Sequence, residues 1–120
     1  MEQYQTEYNK FIEDYKLAEV SGEETGILIA RLAQYFAKYN MEMVANDKKR
    51  SIVAKDIESR ADENGKAISS TKAAVLVEAT PEAHEYKVSR AHLQNIEQMI
   101  NSLKALQKGI LNEYNHSSLT

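Results

Sequence analysis

One stretch decides the fold, residues 22–63, which read GEETGILIARLAQYFAKYNMEMVANDKKRSIVAKDIESRADE. Apolar and aromatic residues recur in it at spacings of three and four, and no glycine or proline occurs between Ile27 and Glu63. That period places the side chains on one face of a helix. We therefore predict a single helix of about 35 to 40 residues, roughly 55 to 60 Å long. Its second half has few apolar residues and is expected to face solvent or another subunit.

A shorter amphipathic helix is predicted before this stretch, over residues 1–20. Its aromatic residues recur at alternating spacings of four and three, which is a helical period; they are Tyr4, Tyr8, Phe11 and Tyr15. Ser21-Gly22 ends this helix. Ser21 also stands three residues before Glu24, the spacing of a capping box that starts the next helix.

After the long helix, Asn64-Gly65 is the clearest stop signal, because both residues tolerate the left-handed backbone that ends helices. Residues 64–80 are predicted to hold a loop and one short element, which Ser69 or Ser70 can cap. The run AAVLV at 73–77 suits a buried strand or a short helix, and we favour the helix.

Thr80-Pro81 is a strong helix start, since threonine caps the first turn and proline fits the first helical position. The last helix is predicted over residues 81–114. Residues 115–120 are polar and are expected to form a frayed tail.

Composition supports an all-α fold. The 120 residues include four glycines and one proline, too few for the many turns of a β-sandwich or barrel. We predict one domain, 1–120, as an elongated hairpin or bundle of three or four helices, two of them long. Such a hairpin leaves apolar surface uncovered, so the chain is expected to form a homo-oligomer. The expected oligomer interface is the apolar face of the last helix: Tyr86, Leu93, Ile96, Ile100, Leu103 and Leu106.

Catalytic chemistry is poorly supported. The chain has no cysteine, and its three histidines are His84, His92 and His116. The first two are eight residues apart on one predicted helix, about 12 Å along its axis, which is too far to share a metal ion directly. No phosphate loop, nucleophile elbow or zinc-protease signature occurs. We predict no enzyme activity, no catalytic residue, no metal and no cofactor; a metal-dependent enzyme would need carboxylates converging with His84 or His92.

The chain also lacks a membrane-spanning pattern. No stretch approaches the roughly 18 apolar residues of a span, and residues 1–20 lack a basic start followed by an apolar run. The absence of cysteine favours an intracellular protein. A cytoplasmic protein with no membrane contact is the expectation.

Charge is unevenly distributed along the chain, whose formal net charge is −3. Residues 1–46 hold 4 basic and 8 acidic side chains, residues 47–72 hold 7 and 5, and residues 73–120 hold 4 and 5. The middle segment is therefore a candidate phosphate-binding strip. It has no aromatic residue for base stacking, so binding would involve the backbone and depend on salt. Its basic residues are Lys48, Lys49, Arg50, Lys55, Arg60, Lys66 and Lys72.

The competing interpretation is a solvated helix face with internal ion pairs, such as Asp56 with Arg60 at a spacing of four. In a coiled-coil adaptor or a phage assembly protein, the basic residues would be paired within the subunit. In a DNA-binding protein, Lys48, Lys49, Lys55 and Arg60 would share one exposed surface.

Residues 28–110 resemble phage recombination mediators of the UvsY type. The shared pattern is a long helix ending in the basic stretch Lys48–Arg60, a break at Asn64-Gly65, a serine-started segment, an acidic turn and a last helix. Two stretches carry it most clearly, KAAVL at 72–76 and INSLKALQKG at 100–109.

The resemblance implies a small helical protein that assembles into a ring and binds single-stranded DNA. It further implies help in loading a strand-exchange recombinase onto DNA covered by single-strand-binding protein, in a phage-infected or bacterial cell. The family's DNA-binding residues lie at the end of the long helix, where Lys55 fits best, with Arg60 near it. Asp56 and Glu58 are interleaved there in this chain.

Overall fold

The structure is a computed structural model that describes residues 1–16 and 21–119, with side chains described as far as residue 110. Over these residues it contains four helices and no β-strand. The helices are α1 Gln3–Lys16, α2 Gly22–Glu58, α3 Ser70–Glu78 and α4 Pro81–Leu119. The all-α prediction with two long helices is confirmed. Within the part of the chain that was searched, no helix combines the length and apolar character needed to cross a membrane.

The contacts divide the chain into two compact units, where the sequence predicted one domain. The first unit comprises residues 1–37 and 94–120, and the second comprises residues 38–93. Since α2 and α4 cross these boundaries, both long helices contribute residues to each unit.

Large apolar side chains form the interior of the first unit. Tyr4, Leu32, Ile96 and Leu103 are almost completely buried. The Tyr4 ring lies 6.1 Å from that of Tyr35 on α2, in a tilted arrangement. Tyr4 and Phe11 are buried on α1, whereas Tyr8 is half-buried and Tyr15 is exposed, so only part of the aromatic face of α1 lies in the core.

The second unit contains its own cluster of buried residues. Ile57, Ala73 and Val77 are buried together. The partly buried hydrophobic residues packed against them are Val53, Ala54 and Ile68. Polar contacts also link α2 to α4 within this unit, since Asn46 donates its side-chain amide to the Ser89 hydroxyl at 2.7 Å.

The helix starts follow the predicted capping chemistry. The backbone N–H of Glu24 donates to the Ser21 hydroxyl at 3.2 Å, and that of Lys72 donates to the Ser69 hydroxyl at 3.2 Å. The Ala83 N–H donates to the Thr80 hydroxyl at 3.2 Å, at the start of α4. Each of these bonds satisfies a backbone donor that the first helical turn leaves unpaired. The short element after the loop is thus a helix, as we favoured.

Helix α2 ends at Glu58, five residues before the predicted boundary at 63. Residues beyond it form a folded loop in which the Asp62 N–H donates to the Lys66 carbonyl at 2.6 Å. The Asp62 carboxylate also accepts from the N–H groups of Asn64 and Lys66, each at 2.9 Å. Such local side-chain bonds compete with helical ones. Gly65, with φ of 75°, is therefore the turn residue of this loop and does not end the helix.

Helix α4 continues to Leu119, so the predicted end at 114 and the frayed tail over 115–120 are wrong as far as residue 119. No glycine or proline follows Gly109, and nothing in the polar sequence prevents helical hydrogen bonding. At the other end of the chain, α1 is described from Gln3 to Lys16. The predicted helical residues 17–20 lie outside the described residues.

Candidate nucleic-acid interface

The seven basic residues predicted to contact DNA all lie in the second unit. Four of them lie on helix α2: Lys48, Lys49, Arg50 and Lys55. Arg60 and Lys66 lie in the loop after α2. Lys72 lies in the first turn of α3. Arg50 is half-buried and the other six are exposed. The candidate interface therefore spans two helices and the loop that joins them.

The two arginines of this set are already engaged. Arg50 donates from Nη2 to Asp47 Oδ1 at 2.6 Å, and its guanidinium lies 4.4 Å from the centre of the Tyr86 ring. The hydrogen bond to Asp47 raises the pKa of Arg50. Arg60 donates to Asp56 at 2.8 Å, which is the internal pair that the sequence suggested. Both cations are therefore less available to phosphate than their exposure alone would indicate.

The five lysines behave differently. Among the described residues none of them forms an ion pair, and all are exposed; they are Lys48, Lys49, Lys55, Lys66 and Lys72. We call these five residues the lysine strip. Lys48 and Lys55 are seven positions apart and share one face of α2, while Lys49 is turned by about 100° from Lys48. The arginines are paired within the chain, as the adaptor interpretation expects. The lysines are exposed and form no ion pair among the described residues, as the DNA-binding interpretation expects.

Sequence reasoning missed a second feature of the same helix face. Met41, Val44 and Ile52 are exposed to 74%, 59% and 60%. They alternate with Lys48 and Lys55 at steps of three, four, four and three residues, so all five share one face of α2. We call these five residues the α2 stripe. The helical spacing was visible in the sequence, but the same spacing is also typical of a buried face.

The predicted oligomer interface on α4 requires correction. Leu93, Ile96 and Leu103 are buried within the chain itself, at 8%, 0% and 1% exposure. They are core residues and have no surface left for another subunit. Ile100 and Leu106 are half-buried. Tyr86 is also half-buried, and the guanidinium groups of Arg50 and Arg90 lie over its ring.

His84 and His92 lie in different surroundings on α4. His84 is exposed, whereas His92 is half-buried with its ring 4.7 Å from that of Tyr39. The described residues contain no group of three or more histidine, cysteine or carboxylate side chains that could hold a metal ion. The His116 side chain lies outside the described part.

Comparisons with protein-family models, with curated proteins and with solved structures give no match to this chain.

Proposed function

We propose that this protein is a non-enzymatic accessory factor that binds single-stranded DNA through the lysine strip. The observation that carries the proposal is the set of five exposed lysines without an ion pair among the described residues. An exposed ammonium group can exchange its counterions for phosphate oxygens, which releases salt and favours binding.

The chemistry of the strip defines the mode of binding. Residues 47–72 contain no aromatic side chain, so they cannot stack on bases and contact the DNA backbone only. The chain carries a net charge of −3, which weakens binding by each subunit. Useful affinity then comes from several subunits on one strand, each raising the effective concentration of the next.

The biological role within this proposal is loading a strand-exchange recombinase onto DNA covered by single-strand-binding protein. Its support is the resemblance of residues 28–110 to recombination mediators of the UvsY type, in which basic residues lie at the end of the long helix. Lys55 is the residue that best fits that position, and it lies three residues before α2 ends. Recombinase, single-strand-binding protein and further copies of this chain are the partners that this role requires.

The experiment is a salt titration of binding to fluorescently labelled oligo(dT), measured by anisotropy. Lys49→Ala/Lys55→Ala removes two cations of the strip. We expect lower affinity, and a salt slope reduced by about 0.7 for each phosphate that the variant no longer neutralises. The fold should persist, because exposed substitutions usually change the free energy of unfolding by less than about 0.5 kcal/mol.

The matched control is Lys104→Ala/Lys108→Ala, which removes the same charge from exposed positions on α4. It should retain the affinity and slope of the parent protein. If both double variants bind equally weakly, binding depends on net charge and not on the strip. If neither variant changes the affinity, the strip is not the site.

The second candidate function is a protein–protein adaptor or assembly factor that contacts no nucleic acid. Two observations favour it: the ion pairs of Arg50 and Arg60 within the chain, and the exposed aliphatic residues of the α2 stripe. Phosphate binding makes no use of exposed aliphatic side chains, whereas protein contacts do. An unchanged titration for Lys49→Ala/Lys55→Ala would make this the better proposal.

A further inference from the structure

A shallow groove lies on the first unit, lined by residues of α1 and the beginning of α2. Its volume is about 290 Å³. Phe11 and Leu28 are buried at its floor, and Ile27 remains 55% exposed. Asp14 and Glu24 also line it, so apolar surface and negative charge occur together.

Acidic side chains outnumber basic ones in the lining of this groove by three to two; we call it the acidic groove. Glu7 lines the groove and is paired with Arg31, which leaves Asp14 and Glu24 facing one remaining lysine, Lys10. Residues 1–31 as a whole hold seven acidic and three basic side chains. A partner for this groove should therefore be apolar and basic.

The α2 stripe has that composition. Its three aliphatic residues are exposed, and Lys48 and Lys55 lie among them. Residues 38–55, which include the stripe, hold five basic and two acidic side chains. A row of side chains along a helix also has the shape that fits a groove between two helices.

We propose that the α2 stripe of one copy packs into the acidic groove of a second copy. Burial would remove Ile27 and Val44 from water, and Lys48 and Lys55 would approach Asp14 and Glu24. A stripe paired with another stripe would bring lysines together, and two facing grooves would bring carboxylates together. Like charges at an interface disfavour both symmetric arrangements.

Each contact then joins two different surfaces, a stripe and a groove. Copies joined in this way form a two-fold dimer if the contact is reciprocal and a longer series if it is not. This inference goes beyond the proposed function, because self-association of this kind requires no DNA. Lys48 and Lys55 belong both to the lysine strip and to the α2 stripe, so a DNA strand and a second copy compete for them.

Sedimentation of the full chain without nucleic acid tests the proposal. Val44→Asp damages the stripe and leaves the groove intact, whereas Ile27→Asp damages the groove and leaves the stripe intact. We expect the parent protein to sediment as an assembly, and each variant alone to shift to the 13.6 kDa single chain. In each variant the dissociation constant should rise at least about tenfold.

The decisive arm mixes the two variants in equal amounts. A mixed pair then has one intact stripe and one intact groove, so stripe-in-groove packing restores a species of twice the single-chain mass. Val75→Asp on α3 is the matched control, since Val75 is 64% exposed and lies outside both surfaces. It should sediment like the parent, and circular dichroism should show equal helix content in all variants.

Four results would overturn the proposal. They are a parent protein that stays a single chain at high concentration, variants that assemble like the parent, a mixture that stays monomeric, and a Val75→Asp control that dissociates as the two variants do. Both test variants keep every lysine and are measured without nucleic acid, so this result does not depend on whether the lysine strip binds DNA.

Discussion

The two compact units differ in the size of the side chains that hold them together. Among the described residues, the largest fully buried side chains all belong to the first unit: Tyr4, Thr25, Leu32, Ile96 and Leu103. The buried hydrophobic residues of the second unit include two alanines; they are Tyr39, Ile57, Ala73, Val77, Ala83 and Leu93. A fully buried leucine, isoleucine or aromatic side chain contributes about 1.5–3 kcal/mol, and alanine contributes much less.

The exposed surfaces of the two units also differ. The second unit carries the lysine strip and three aliphatic residues exposed on α2. We infer that the first unit depends more on large, completely buried side chains and that the second unit presents more exposed cationic and aliphatic side chains. Substitutions in the two units should therefore separate stability from binding.

The largest expected effect is in the core of the first unit. Leu103 is 1% exposed, and Leu103→Ala should lower the free energy of unfolding by about 2–5 kcal/mol, because apolar burial decreases and a cavity forms. Urea denaturation followed by circular dichroism measures this change. Its exposed neighbour provides a control, since Lys104→Ala should change stability by less than about 0.5 kcal/mol. A Leu103→Ala protein as stable as the control would show that the first unit does not depend on this core.

A smaller effect is expected where the second unit packs a small side chain. Ala73 is 3% exposed between Ile57 and Val77, and Ala73→Leu should destabilise the protein by about 1–3 kcal/mol through overpacking. The adjacent Ala74 is exposed, so Ala74→Leu should be nearly neutral in the same denaturation experiment. If Ala73→Leu instead stabilised the protein, the small core would contain unfilled space, and the contrast between the units would need revision.

The smallest effect concerns an exposed ion pair in the second unit. Lys87 donates to the Glu78 carboxylate, and this hydrogen bond, aided by the charge of Lys87, lowers the pKa of Glu78 below its ordinary 4.5. The stabilising contribution is therefore present above pH 4.5 and is lost as the pH falls through the lowered pKa. Carboxyl NMR titration should show that Lys87→Ala returns the pKa of Glu78 towards 4.5. An unchanged pKa in that variant would assign the shift to another group.

Local signals in the sequence located most of the helices. Ser21, Ser69 and Thr80 begin helices because their hydroxyls accept from backbone donors only three residues away. The end of α2 was less predictable, because Asp62 forms a loop with residues that follow it. The excess of basic residues at 47–72 could be counted from the sequence. The contact of Arg50 with Tyr86 could not be predicted in this way, because it joins residues 36 positions apart.

The helical character of this protein and the sets of side chains that share a helix face follow from local sequence, because a period of 3.6 residues is a local property of the backbone. What each apolar face contacts became known from the folded chain. Leu93, Ile96 and Leu103 look like Met41, Val44 and Ile52 in their spacing and hydrophobicity, yet the first three are buried and the second three are exposed. That difference depends on packing between residues far apart in the chain, and a local period does not encode it.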